Sequence, residues 1–432
     1  MMNYAFEWIR DNRMVVGAAA IVIVALTIVS CSEETTTGFQ NREPGTPTVL
    51  WPADGSVNQT TDLILAWQCL DPDGDSLRYD LYVGSTSEPS IVDSNRVNTI
   101  YIPAIMKFNT TYYWKVIAFD EYGDSAASPI WSFSTRREPG IYEVASCTLE
   151  IGNTNWCVLQ AHDNYALVAG NYSPLIFVNI TDPEDPFAEF EYSAPGYVYD
   201  IEFDGNLAYL AEIDYGLEIV DITNPASPVR IGSFPMGEGV FSVELSGNYA
   251  FVAGNGAYTL DISNPSSPIP VDSTFQYQMM HLTIAGSYVY AVHADFEVSV
   301  LDSYDIVNGT TLQYNFSRHL NALATDITTN NQHLFISLWD GTVRALTISD
   351  FPSEISRFAS LHGFYDIFLD SDIIYAANGS GGVKMISFAD LLNPALIAGY
   401  DTGSSVLSIH ANRGFIFAID SDSRFLVLEY LP

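Results

Sequence analysis

A motif closed by two prolines returns along this chain at a nearly constant interval, and that interval limits what the chain can become more than any other feature. It reads GLEIVDITNPASPVRIGSF at 216–234, YTLDISNPSSPIPVDSTF at 258–275 and LIFVNITDPEDPFAEFEY at 175–192. The first prolines of the copies, Pro183, Pro225 and Pro265, are spaced by 42 and 40 residues. In each copy a run of aliphatic and β-branched residues suits a strand buried on both faces. The proline then removes an N–H from the ladder and restricts the residue before it to extended or turn geometry, so the strand must end there. A second, shorter strand follows.

A unit of this size cannot bury its own faces and must stack against neighbours of the same kind. Aromatic or aliphatic markers continue the period to the end of the chain: Leu167, Tyr209, Phe251, Tyr290, Phe335, Tyr375 and Phe417, at intervals of 42, 42, 39, 45, 40 and 42. The pattern predicts four-stranded units at 157–192, 198–234, 240–275, 280–316, 324–360 and 364–400, and a last unit at 406–431 with three strands. The missing strand is expected from 142–151, YEVASCTLEI. Sharing one unit between the two ends of the repeat leaves no raw sheet edge. The expected fold of 140–432 is therefore an all-β, seven-bladed β-propeller with terminal strand closure.

Residues 1–30 read as an export signal. Arg10 and Arg13 precede the apolar run MVVGAAAIVIVALTIV at 14–29, which is shorter than the ~20 residues a membrane-spanning helix needs. A retained membrane helix is the alternative. The run ends in Ile28-Val29-Ser30-Cys31, which resembles the bacterial lipoprotein box. That resemblance implies acylation of Cys31, attachment to the membrane through a lipid anchor, and, with Ser32 following, sorting to the outer membrane or cell surface. Residues 31–46 are almost free of apolar side chains and suit a flexible tether.

Strand-like runs at 63–67, 77–83, 111–118 and 130–134, separated by turn residues, predict a compact β-sandwich over 47–136, with a tryptophan early and aromatics late. The run TYYWKVIAFDEYGDSAASPIWSFST at 111–135 resembles the end of immunoglobulin-like, fibronectin type III-like domains. The resemblance implies a spacer or binding module. Within it, Asp71-Pro72-Asp73-Gly74-Asp75 sets carboxylates on alternate residues. Asp71, Asp73 and Asp75 could offer hard oxygen ligands to calcium, although the bidentate glutamate of an EF-hand is missing. The plainer reading is a turn, which Asp, Pro and Gly all favour. Apart from calcium, no cofactor is implied.

Charge excludes one class of partner. With 52 Asp and Glu against 16 Lys and Arg, the net charge is -36, which repels the phosphates of nucleic acid. A hydrophobic content of 48% argues against disorder. Four cysteines, at 31, 69, 147 and 157, are too few for a disulfide scaffold, and spacing leaves the pairing of Cys147 with Cys157 open.

Aligning the first strand of each unit yields the one constellation with chemical content. An apolar column (Leu159, Ile201, Val243, Leu282, Ile327, Ile367, Ile409) is preceded by Val158, Asp200, Ser242, His281, Asp326, Asp366 and Ser408. It is followed by Gln160, Glu202, Glu244, Thr283, Thr328, Phe368 and His410. Side chains alternate along a strand, so both polar rows share one face. If these strands line a channel, Asp200, Glu202, Glu244, His281, Asp326, Asp366 and His410 converge there as a candidate cation site; a merely hydrated channel is the competing reading. HExxH, GxSxG and phosphate-loop patterns are absent, and no catalytic residue is assigned.

The repeats resemble the LVIVD family, through strands such as Leu217-Glu218-Ile219-Val220-Asp221. That resemblance implies an exported bacterial surface propeller without a shared activity. The expected function is a lipid-anchored binding or scaffold protein, acting as a monomer on a surface protein or glycan and not as an enzyme. The alternative is an exported polysaccharide hydrolase or lyase with carboxylates at the channel mouth.

Overall fold

The computed structural model describes residues 41–432, apart from 105, 152–155, 171–172, 238 and 296 and the side chains of 275 and 276. The expected signal segment, Cys31 and most of the tether lie outside the described residues. The architecture is all-β, built largely of antiparallel sheets, and the chain divides into two compact units after Arg136. Among the described residues no helix is long and apolar enough to cross a membrane.

In the first unit, one sheet pairs Thr48–Trp51 with Leu65–Gln68 and Ile100–Tyr101. The other runs in the order Ser56–Gln59, Trp131–Thr135, Thr111–Phe119, Arg78–Gly84, Ser90–Arg96. Both face a core of Leu65, Trp67, Leu81, Trp114, Trp131 and Phe133. The indoles of Trp114 and Trp131 sit 4.7 Å apart, and Trp67 meets Trp114 edge-on at 6.3 Å, in the geometry the aromatic quadrupole favours. The four expected strands are present to within a residue or two. Ser56–Gln59, Ser90–Arg96 and Ser125–Ala127 carry too few apolar residues to be visible in the sequence pattern.

In the second unit the repeat becomes strands in order. Cys157–His162, Tyr165–Gly170, Leu175–Asn179 and Phe187–Tyr192 form the first sheet. Tyr197–Asp204, Leu207–Ile213, Gly216–Asp221 and Val229–Pro235 form the second. The third and fourth repeats depart from the expected separate units, because Ile269–Ala285 runs without a break from the outer edge of one to the inner edge of the other. They therefore join into a single six-stranded sheet. The Asn264-Pro265 turn stops the strand before Ile269, but no proline or glycine interrupts the chain from Val271 to Ala285. The fifth repeat (Ala324–Thr329 to Glu354–Ala359) and the sixth (Asp366–Asp370 to Ala395–Tyr400) are four-stranded again. The last pairs Val406–Asn412, Phe415–Asp420 and Arg424–Leu431 with Gly140–Thr148, in the register Gly140↔Leu431 to Thr148↔Arg424.

The first strand of each repeat lies against the first strand of the next, and that of the seventh lies against that of the first. Apolar cores fill the space between consecutive repeats, for example Phe177 and Leu210 between the first and second, and Ile176 and Phe425 between the first and seventh. Middle strands such as Leu207–Ile213 are buried on both faces, which is why they read as continuous apolar runs. The proline turns brace this stacking. The carboxylate of Asp221 accepts the amide of Thr223 at 2.8 Å, and Asp261 accepts that of Ser263 at 2.9 Å, so the aspartate after the apolar run caps its turn. The turn at Pro265 lies so close to the preceding sheet that a Cβ on Gly232 would stand 1.9 Å from its carbonyl oxygen. Cys147 and Cys157 are both free thiols.

Candidate functional site

The first strands of the seven repeats surround a cavity of about 420 Å³. All seven residues expected to converge (Asp200, Glu202, Glu244, His281, Asp326, Asp366 and His410) line it, and the lining holds no lysine or arginine. β-Bulges fall immediately before Asp200, His281, Asp326 and Ser408. An extra residue on one strand of a pair re-aims the side chains after it, so these kinks help turn the row inward.

The upper row is spoken for by the neighbouring strands. Asp200 Oδ2 accepts the amide of Val243 at 2.9 Å, Asp326 Oδ2 that of Ile367 at 3.2 Å, and Asp366 Oδ2 that of Ile409 at 2.9 Å. Ser242 Oγ and Ser408 Oγ accept the amides of Leu282 and Leu159 at 3.4 and 3.1 Å. Each of these side chains therefore binds the apolar-column residue of the next repeat. His281 Nδ1 lies 3.8 Å from Asp326 Oδ1. Burial pushes the His281 imidazole down to about 4, so at neutral pH it is uncharged.

The lower row is less committed. Glu202 takes only a long hydrogen bond, 3.3 Å, from the amide of Phe203. Burial and then the nearby Glu244 hold the Glu202 carboxyl well above the usual range. Glu244 is pushed up to about 7, by burial first and then by Asp200. Burial, followed by Asp366, likewise raises Asp326, and burial raises Asp200 and Asp366. Burial pushes His410 down to about 3, and its Nδ1 is buried without a hydrogen-bond partner. Carboxyls whose hold on their protons is strengthened thus crowd a confined space, the pattern expected of groups that exchange protons or await a cation.

The expectation of one cation site needs a correction in its geometry. Although the seven residues share a cavity, no three of them bring ligating atoms within 4.8 Å of one another; among the described residues only Asp71, Asp75 and Asp120 do so. Sequence reasoning placed Asp73 in that second group. Instead, Asp73 is engaged by Arg42, which donates from its backbone N and its Nε at 2.8 Å each, and these bonds hold the Asp73 carboxyl below its usual range. Asp120, forty-five residues beyond Asp75, takes its place. Asp71 Oδ2 and Asp75 Oδ2 are buried and lack hydrogen-bond partners, while Asp120 accepts amides from Tyr122 and Asp124 at 2.9 Å. Oxygen donors of this kind suit a hard cation such as calcium.

Sequence reasoning missed two further features. Trp156, Tyr199, Phe241 and Tyr365 also line the cavity, with ring centroids of Trp156 and Tyr199 at 4.6 Å and of Tyr199 and Phe241 at 5.5 Å. Their signal was an aromatic or aliphatic residue one or two places before the upper row. The second is outside the cavity: Glu212 and Glu218, both 0% exposed, face each other in the second repeat. Glu212 Oε2 accepts the amide of Gly196 at 2.8 Å, and Glu218 Oε1 accepts Tyr192 O–H at 2.9 Å with Arg230 Nε 3.7 Å away. Burial and the hydrogen bond to Glu218 push Glu212 up to about 9, so Glu212 keeps its proton at neutral pH.

A family model described as LVIVD repeat matches residues 195–235 and 239–274. No curated protein matches the sequence. Among solved structures, the WD40 β-propeller domain of Doa1 is similar with a TM-score of 0.53 at 12% identity, covering 68% of this chain and 97% of that one. The computationally designed Ika8 protein is similar with a TM-score of 0.50 at 13% identity, covering 76% of this chain and 95% of that one. At such identities the likeness concerns fold alone.

Proposed function

We propose that the second unit is a seven-bladed β-propeller carried by an exported, lipid-anchored envelope protein, and that its acid-lined cavity acts on an extracellular polysaccharide. The propeller reading is supported by the order of first strands, the pairing of Gly140–Thr148 with Arg424–Leu431 and the likeness to the WD40 domain. The first unit, in this reading, is a fibronectin type III-like spacer.

The enzymatic part rests on one observation. Glu202 and Glu244 interact in the cavity, and Glu244 is poised at about 7. A carboxyl near that value can give a proton to a glycosidic oxygen at neutral pH, the general-acid half of glycoside cleavage, with Glu202 beside it as the second carboxyl. The acids of the upper row, fixed to backbone amides, hold the walls in place.

The test is turnover of a glycan library by the detergent-solubilised full chain. We expect cleavage of at least one polymer, with Glu202→Gln and Glu244→Gln each lowering it by roughly a hundred-fold or more. Absence of turnover on every polymer, or turnover indifferent to both substitutions, rejects the reading. A second reading, a binding or scaffold protein, is favoured by the engagement of Asp200, Asp326 and Asp366 with neighbouring strands, which accounts for those acids without a substrate. Saturable glycan binding without turnover would select it.

A further inference from the structure

We propose that the cavity selects a ligand carrying an organic ammonium group, seated on an arc made by Glu202, Glu244, Gln160 and His410. The inference rests on the polysaccharide reading above and narrows it to an amino sugar with a free amine. The four residues occupy the same row in four consecutive repeats (seventh, first, second and third), so they form a continuous strip of the cavity wall.

Charge decides the sign of the ligand. The lining contains carboxyls, neutral imidazoles, aromatics and neutral polar groups but no cation, so an anionic group would enter without a charged partner. An ammonium placed between Glu202 and Glu244 supplies the opposite charge that their buried setting lacks, and so favours the ionised form of both. Gln160, in the same row, adds a neutral side-chain oxygen that can accept from such an N–H.

Size and spacing decide against a bare metal ion. No three ligating side chains of the cavity converge within 4.8 Å, whereas a space of about 420 Å³ suits an organic molecule. The aromatic walls fit the same choice. Phe368 stands in the row beside His410 at 4.0 Å between ring centroids, and Trp156, Tyr199 and Phe241 line the cavity. Such faces attract an organic cation through the ring quadrupole.

Binding must then expel protons, and that is the readout. Calorimetry on the detergent-solubilised full chain would compare a β-1,4-linked glucosamine trimer, its N-acetylated counterpart, spermidine and calcium chloride. Each is run at about pH 5 and pH 6.5, where a sugar amine stays protonated, in two buffers of different ionisation enthalpy. We expect the glucosamine trimer to bind about ten-fold or more tighter than the acetylated one, with net proton release and higher affinity at the higher of the two pH values. Glu202→Gln and Glu244→Gln should each weaken it by about ten-fold, and Asp75→Asn should not. The proton release is read on the unaltered chain, so it stands even if a variant misfolds. Equal or tighter binding of the acetylated trimer overturns the inference while leaving the polysaccharide reading intact. Binding of spermidine but not of the glucosamine trimer supports ammonium selection and removes the polysaccharide. Heat from calcium alone, or from no probe, overturns the inference.

Discussion

Replacing Glu212 by glutamine should make this protein more stable, and increasingly so as the pH rises. Glu212 and Glu218 are sealed from water, and while Glu218 accepts Tyr192 O–H and lies near Arg230, burial and the contact with Glu218 raise the Glu212 carboxyl. The Glu212 pKa, about 9 in the folded protein, lies above that of an exposed glutamate, near 4.5. A carboxyl raised in this way contributes stability that is whole below the unfolded value and is lost as pH climbs through the folded one. Between about pH 5.5 and pH 8 the unfolded chain has released this proton and the folded chain keeps it. The loss there is about 1.4 kcal/mol per pH unit, or about 3 kcal/mol over the interval. Glutamine presents an N–H to Glu218 and a carbonyl oxygen to the amide of Gly196, so the geometry survives while the titration vanishes. Urea denaturation of both proteins at the two pH values isolates the effect, because every other titrating group cancels in the difference. A gap between variant and parent that stays constant within about 0.5 kcal/mol would refute the proton held by Glu212.

Two further outcomes concern the walls of the cavity and the first unit. Asp366→Ala removes the acceptor used by Ile409 N–H and by Ser408 Oγ–H at 2.6 Å, and should cost about 1–3 kcal/mol in the same denaturation assay, with Asp366→Asn recovering part; an unchanged midpoint would mean that the upper row does not brace the repeats. Calcium at about a hundred times its dissociation constant should stabilise the first unit by about 2.7 kcal/mol, read as a rise in its thermal midpoint that Asp75→Asn or Asp120→Asn abolishes; a midpoint indifferent to calcium and to chelator would reject a cation there.

How far the sequence reaches depends on how local the information is. The strands of the repeats, the proline turns and the closing of the last sheet by the segment near 142–151 were legible, with the strand itself falling at Gly140–Thr148, because the repeats write a similar apolar register along the chain. The two polar rows were legible for the same reason, since a period of two along each first strand fixes which face they share. Their roles were not. Whether Asp200 or Glu202 is engaged depends on the amide of Val243 in another repeat, and nothing near either residue states that. Asp120 was invisible as a partner of Asp71 and Asp75 because the turn joining them is made by the fold of the whole unit. Glu212 looked like an ordinary polar break at the end of LAYLAEI, and only the opposing strand places Glu218 against it. The continuous strand Ile269–Ala285 escaped notice because the period implied a turn that the residues themselves do not contain.

The ladder between Gly140–Thr148 and Arg424–Leu431 has a bearing on how the molecule is made. It joins positions roughly 290 residues apart, and closing so long a loop costs about 5 kcal/mol of chain entropy before any contact repays it. Early repeats can condense locally as they emerge, but the final sheet waits for the segment around residue 430. Until then the apolar flank of Cys157–His162 has nothing to dock on. A chain whose last repeat is not yet made is therefore the sticky, protease-sensitive species, and a holdase that shields that flank should raise the yield of folded protein.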